Sequence, residues 1–144
     1  MSKFKKIDKI EDATMISTKQ GDKGTSKNYS SEELLKTNIL FDTLGTMDEL
    51  SSYLGVCFHL TPFKAEIRSI QTTLQHINSH LATNENDPRQ EKITQVTIDD
   101  INYLEALEDK YIKQTNIKPV FVLPGSDSSI EGAYLDLARE LARK

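Results

Sequence analysis

Nine residues near the start of the chain, Thr18-Lys19-Gln20-Gly21-Asp22-Lys23-Gly24-Thr25-Ser26, combine the groups needed to hold a polyphosphate. Two glycines three apart let the backbone take positive φ, so that successive N–H groups converge on one point. Lys19 and Lys23 add ammonium charge, and Thr18, Thr25 and Ser26 add hydroxyl donors. The same composition also suits a polar turn, because Gly and Asp dominate turns for conformational reasons. A short glycine motif acquires meaning only from its surroundings.

Other chemistry-bearing residues are sparse. His76 and His80 stand four apart, a metal-ligand spacing on a helix, but no third ligand of suitable type accompanies them and no metal site is expected. Cys57 is the single cysteine and lies in an apolar stretch. It reads as a small buried hydrophobe, rules out an intramolecular disulfide and suits a reducing, cytoplasmic setting. No Ser-His-Asp or Cys-His arrangement stands out.

Composition bounds the remaining options. At 144 residues, 37% hydrophobic and 28% charged, the sequence suits one globular domain burying roughly 70% of its unfolded surface. A net charge of −4 argues against general nucleic-acid binding, so an anionic ligand needs a local basic pocket. No tract approaches the ~18 apolar residues of a membrane span. Residues 1–15 mix lysine with Asp8, Glu11 and Asp12 and read as an extension, neither a secretory signal nor a transit peptide. Residues 16–144 form the expected domain.

Four segments carry the helical periodicity that must position these groups. One runs from about Pro62 to Ala82 on Ile67, Ile70, Leu74, Ile77 and Leu81. Another spans about Thr46 to His59 on Met47, Leu50, Leu54 and Cys57, with Thr46 and Glu49 in the pattern of a capping box. A third starts after Thr97, a hydroxyl cap, and continues through Ile101, Leu104, Leu107 and Tyr111. The fourth opens after Pro124-Gly125 and carries Ile130, Ala133, Tyr134, Leu137 and Leu141 to the end. Asn84–Gln95 and Gln114–Lys118 read as solvated connectors, and Val120-Phe121-Val122-Leu123 as a short strand ended by Pro124. The pattern predicts an all-α, up-and-down helical bundle with an irregular N-terminal arm.

Taken in order, T-K-Q-G-D-K-G-T-S at 18–26, Lys36, L-G-T-M-D-E-L-S-S at 44–52, F-V-L-P-G at 121–125 and L-A-R-E-L-A-R-K at 137–144 resemble the PduO-type ATP:cob(I)alamin adenosyltransferases. That family carries T-K-x-G-D-x-G-x-T/S, a lysine about a dozen residues on, G-T-x-D-E-L-x-S, F-x-L-P-G-G and R-x-x-x-R-R-A-E-R. The resemblance spans about residues 16 to 144. It implies transfer of the 5′-deoxyadenosyl group of ATP onto reduced cobalamin with release of triphosphate, in trimers of five-helix bundles with sites between subunits. ATP with Mg2+ and cobalamin are the implied small molecules. A cobalamin reductase or an adenosylcobalamin-dependent enzyme is the implied protein partner.

By the same resemblance, Thr18, Lys19, Gly21, Asp22, Lys23, Gly24, Thr25 and Ser26 wrap the triphosphate and Lys36 contacts ATP. Asp48 and Arg139 match a salt bridge across the subunit interface. Arg143 and Lys144 fall on the first two positions of R-R-A-E-R, whose residues contact ATP. Phe121 matches the aromatic that presses on the underside of the corrin; from pattern alone, the favoured reading is an ordinary core phenylalanine. Arg139 and Arg143 lie four apart and share a helix face.

Several positions depart from the family pattern. Ser126 replaces the second glycine of P-G-G, and Ser31-Glu32-Glu33-Leu34 replaces a stretch with glycine and arginine, bringing acid near the nucleotide. Lys144 stands for an arginine and loses its planar fork. The A-E-R and the fifth helix are absent, which predicts either a shortened adenosyltransferase or a catalytically impaired ATP- and corrinoid-binding relative acting as carrier or regulator.

Overall fold

Asn38 starts the first long helix: its side-chain oxygen accepts the Leu40 N–H at 2.9 Å, satisfying one of the donors a helix start leaves free. The structure, a computed structural model, describes Asp12, Ala13, Ser17, Lys19 and residues 21–125 and 129–144. Helix α1 runs Ile39–Leu60 and stops at Thr61, ahead of Pro62, a position where helical φ/ψ is disfavoured. It begins seven residues before the Thr46 start expected from sequence. Thr46 lies inside the helix, its hydroxyl donating to the Asp42 carbonyl at 2.9 Å, so the Thr46–Glu49 capping box does not form.

Helix α2 spans Lys64–Leu81, α3 Ile98–Gln114 and α4 Ile130–Arg143. The predicted cap of α3 is present and reciprocal. Thr97 Oγ1 accepts the Asp99 N–H at 3.3 Å, and Asp100 Oδ2 accepts the Thr97 N–H at 2.8 Å. Ser129 caps α4 by accepting the Gly132 N–H at 3.0 Å.

The core sits where α1 meets α2 and α4. Leu50, Leu54 and Cys57 of α1 share one face, and Ile67 of α2 and Ala138 of α4 close over them. Cys57 is fully enclosed, and burial pushes its thiol pKa up. Helix α3 buries no residue and is held to α2 by surface contacts: Tyr111 Oη donates to Glu66 Oε1 at 3.0 Å, and Phe63 and Tyr111 stack edge to face at 5.1 Å. Lys110 joins the same carboxylate at 3.2 Å.

Two strands went unread in the sequence. Strands β1 (Thr25–Lys27) and β2 (Glu33–Leu35) form an antiparallel hairpin with Thr25 opposite Leu35 and Lys27 opposite Glu33. Val120–Leu123, the run expected as a strand, is not one. Phe121 is 91% exposed and its neighbours are also exposed. A strand needs a ladder partner, and the two strands among the described residues pair with each other. The helical bundle is otherwise as the periodicity predicts, and no helix among the described residues is long and apolar enough to cross a membrane.

Candidate functional site

The hairpin supports the glycine- and lysine-bearing loop at one end. A turn closes from Lys19 to Gly24: the Asp22 N–H reaches the Lys19 carbonyl and the Gly24 N–H the Gly21 carbonyl, each at 3.4 Å. Gly24 has φ +83°, a conformation that disfavours any side chain. Gly21 is needed for a different reason. A Cβ there would lie 2.9 Å from both Cε and Nζ of Lys36, so the absent side chain leaves room for the ammonium. The Lys36 N–H also donates to the Gly24 carbonyl at 2.9 Å. Lys36 is thereby held to the loop by backbone and side chain alike.

The structure thus brings Lys19, Gly21, Asp22, Lys23, Gly24, Thr25, Ser26 and Lys36 into one unit. Thr18 lies outside the described residues. Thr25 Oγ1 donates to Glu33 Oε1 at 2.6 Å, which places a carboxylate beside the cradle, on the opposite strand.

The remaining predicted residues lie elsewhere on the bundle. Asp48 is exposed on α1 and accepts from Asn78 Nδ2 at 2.9 Å. It lines a groove of about 380 Å3 with Ser51, Arg68 and Gln71, and a second of about 390 Å3 that reaches Tyr29 of the hairpin. Arg139 pairs with its own helix, to Asp136 at 2.9 Å and Glu140 at 2.5 Å, and these carboxylates, Asp136 first, raise its pKa. Asp48 and Arg139 do not meet within one chain. Arg143 is exposed, with no ion pair among the described residues. Lys144 lines a cavity of about 410 Å3 with Ile39, Asp42 and Thr46, so the end of α4 lies against the start of α1, three residues beyond Lys36. Phe121 stands in the exposed segment before α4, which excludes a core role.

Both ring nitrogens of His80 are engaged, Nδ1 with Gln90 Oε1 at 3.0 Å and Nε2 with the Thr94 carbonyl at 3.1 Å, so it pins the connector after α2. Among the described residues no three His, Cys, Asp or Glu side chains cluster as a metal site.

Sequence reasoning missed a polar network at the hairpin's other end. Asn28, Glu32, Asn84, Asp87 and Arg89 bind the hairpin tip to the connector expected to be merely solvated. Arg89 grips Asp87 through two nitrogens, at 2.9 and 2.6 Å, and lies 4.7 Å from the Tyr29 ring centre. The Arg89 guanidinium, with help from Ser30, holds the Asp87 carboxyl well below its ordinary range. A depressed folded pKa contributes stability that is fully present above the unfolded value of 3.8 and is lost as pH falls from there through the folded pKa. Arg89→Gln is accordingly expected to raise the acid-unfolding midpoint by roughly half a pH unit, followed by far-UV circular dichroism. The D-P-R spacing was the available signal, since Asp before Pro favours turn formation.

With this geometry in hand, the sequence profile of the cobalamin adenosyltransferase family matches residues 16–144. The chain belongs to the cobalamin adenosyltransferase family. Among its relatives, corrinoid adenosyltransferase MMAB of Bos taurus is 35% identical over 136 residues, covering 90% of this chain and 56% of that protein. The Homo sapiens protein of the same name is 37% identical, with 90% and 54% covered. A corrinoid adenosyltransferase of Citrobacter freundii is 32% identical over 132 residues, with 90% and 73% covered. The chain spans just over half the length of these mammalian adenosyltransferases.

Solved structures agree on the fold. A variant PduO-type ATP:corrinoid adenosyltransferase from Lactobacillus reuteri, complexed with cobalamin and ATP, superposes with a TM-score of 0.79 at 26% identity, covering 89% of this chain and 72% of that one. Another variant of the Lactobacillus reuteri adenosyltransferase, complexed with ATP, gives 0.76 with the same coverage.

Proposed function

We propose that this chain transfers the 5′-deoxyadenosyl group of ATP to cob(I)alamin, giving adenosylcobalamin and triphosphate. The observation that carries the reading is the folding of Lys36 Nζ against Gly21, within the arm that bears the family's first motif. In the reaction the cobalt(I) electron pair attacks C5′ of ATP. The Co–C bond forms, the C5′–O bond breaks, and triphosphate leaves with the bonding electrons. Negative charge grows on the leaving group, and preorganised donors aimed at it lower the barrier.

Lys19, Lys23 and Lys36 supply the compensating positive charge, the Gly21–Gly24 backbone supplies N–H groups, and Thr18, Thr25 and Ser26 supply hydroxyls. Mg2+ bound to ATP would supply further neutralisation of the phosphates; among the described residues no acidic cluster would hold it. Arg143 and Lys144 reach the nucleotide from α4. Asp48 pairs with Arg139 of a second copy in a homotrimer, a reading supported by both being exposed and apart within one chain. The enclosed, reduced Cys57 suits a cytoplasmic setting. Protein partners in this reading are a cobalamin reductase or an adenosylcobalamin-dependent enzyme.

Phe121 is the corrin contact. Because its ring is 91% exposed, Phe121→Ala is expected to change stability by less than about 0.5 kcal/mol. Adenosylcobalamin formation falls at least about tenfold, a loss of about 1.4 kcal/mol in transition-state stabilisation. Thermal unfolding and product absorbance measured on the same sample separate the two effects.

Glu33 favours a second reading, a binding relative with impaired catalysis, because its carboxylate takes a cradle hydroxyl at 2.6 Å. One assay decides. With ATP·Mg2+ and chemically reduced cobalamin, stoichiometric triphosphate and adenosylcobalamin support the enzyme. Saturable ATP binding without triphosphate supports the carrier or regulator, and absence of binding rejects both.

A further inference from the structure

The nucleotide arm is held in place at the end away from the nucleotide. Its strands are three residues each, and an isolated two-stranded hairpin is marginal in water. Extensive contacts between elements run from α1 to α2, from α1 to α4, and between β1 and β2 themselves. Besides the three-residue link from Leu35 to the start of α1, where the Asn38 N–H donates to the Leu35 carbonyl at 2.8 Å, the hairpin is tied to the bundle by docking of its tip, Asn28–Glu32, onto the connector that follows α2.

That docking is dense and long-range. The Tyr29 N–H donates to the Ala82 carbonyl at 2.9 Å, and the Asn84 N–H donates to Ser30 Oγ at 2.8 Å. The Asn84 side chain uses both its polar atoms: Oδ1 accepts from Asn28 Nδ2 at 2.7 Å, and Nδ2 donates to Glu32 Oε2 at 3.0 Å. Asn28, 9% exposed, is itself fully engaged, since its Oδ1 accepts the Glu32 N–H at 2.9 Å. Ser31, at φ +65°, completes the tight reversal.

We propose that Asn84 is a positioning residue for the nucleotide arm, fixing the hairpin tip through Asn28 and Glu32 and thereby setting where the Lys19–Ser26 loop and Lys36 lie. The inference rests on the adenosyltransferase reading for the identity of the ligand. Mechanically the hairpin is a short lever. Three ladder pairs separate the tip from the loop, about 10 Å of strand, so a tilt of about 10° at the tip moves the loop by about 2 Å. Displacements of that size take donors out of hydrogen-bond reach of a bound phosphate and so weaken its binding. An amide is required at this position because it must accept from Asn28 and donate to a carboxylate in the same plane. A carboxylate there would keep the first bond and oppose Glu32 with like charge.

The test is Asn84→Asp in the full chain, alone and combined with Glu32→Gln, which removes the like charge opposite the new carboxylate. The single variant is expected to raise KM for ATP·Mg2+ about tenfold, with kcat and cobalamin affinity within about twofold; the pair returns KM to within about twofold of the unsubstituted chain. Amide hydrogen exchange gives a readout free of activity. Protection of the Lys36 N–H, bonded to Gly24, falls in the single variant and recovers in the pair, while α1 and α2 amides stay protected. An unchanged KM in a chain that binds ATP, or failure of the pair to rescue, overturns the proposal. If the unsubstituted chain binds no ATP by calorimetry, the adenosyltransferase reading fails separately. The exchange measurement then decides the anchor, and unchanged Lys36 protection rejects it.

Discussion

On the proposed adenosyltransferase activity, Lys36→Met is expected to lower kcat/KM for ATP by about 100-fold, equivalent to about 2.7 kcal/mol of transition-state stabilisation. The substitution keeps the main-chain bond from residue 36 to the Gly24 carbonyl, so the hairpin register survives. It keeps the aliphatic stem as well. Only the ammonium is lost, from a position against the Gly21 backbone where Nζ has been cleared of competing side chains. Charge-assisted hydrogen bonds to phosphate contribute about 1.5–3 kcal/mol each, more as negative charge accumulates on the departing triphosphate. Steady-state kinetics with reduced cobalamin in excess measure the loss. An unchanged kcat/KM would remove Lys36 from the nucleotide site. Gly21→Ala approaches the same ammonium from the other side. Its Cβ falls 2.9 Å from Cε and Nζ, and because the lysine tip is flexible the outcome is displacement rather than unfolding. The expected loss is smaller, about tenfold.

The second large effect is on stability. Ile67→Ala destabilises the bundle by about 3 kcal/mol, which lowers Tm by roughly 10 °C. Ile67 is 3% exposed and is the buried residue α2 contributes to a core otherwise made by Leu50, Leu54, Cys57 and Ala138. With so few enclosed side chains, neighbours cannot close the cavity without parting α1 from α2. Leu104→Ala provides the contrast. That side chain is 47% exposed on α3, and its truncation costs less than about 1 kcal/mol. Urea unfolding followed by circular dichroism resolves the two, and equal costs would mean that the core has been placed wrongly.

What could be read in the sequence depended on how local the determining interaction was. Thr97 and Asp100 lie three apart and satisfy each other, so the start of α3 was legible to the residue. The start of α1 was not. Thr46 and Glu49 imitate a capping box, yet a threonine hydroxyl inside a helix can donate to the carbonyl four residues back, as Thr46 does to Asp42. Nothing in the local pattern distinguishes the two uses. Correcting the start moves Asp48 from a first turn to mid-helix.

The hairpin was illegible for a different reason. T-S-K and E-L-L are too short to show alternation, and the bonds that stabilise them come from Asn84, more than fifty residues away. Val120–Leu123 has the opposite character: a β-prone composition that pairs with no strand among the described residues. At the candidate site, the 18–26 loop was legible from its own glycines, lysines and hydroxyls, whereas Lys36 came from the family resemblance; the structure sets Lys36 against Gly21. Asp48 and Arg139 were found by resemblance, and a single chain leaves them facing other groups.

Cys57 has no exposed surface and is the chain's single thiol. Its sulfur becomes accessible to an alkylating or disulfide reagent only when α1 separates from α2 or α4. The rate of its labelling under native conditions therefore counts openings of the bundle, one thiol per molecule, and needs no engineered reporter. Run with and without saturating nucleotide, the same clock would tell whether ligand held by the outer arm slows the breathing of the bundle.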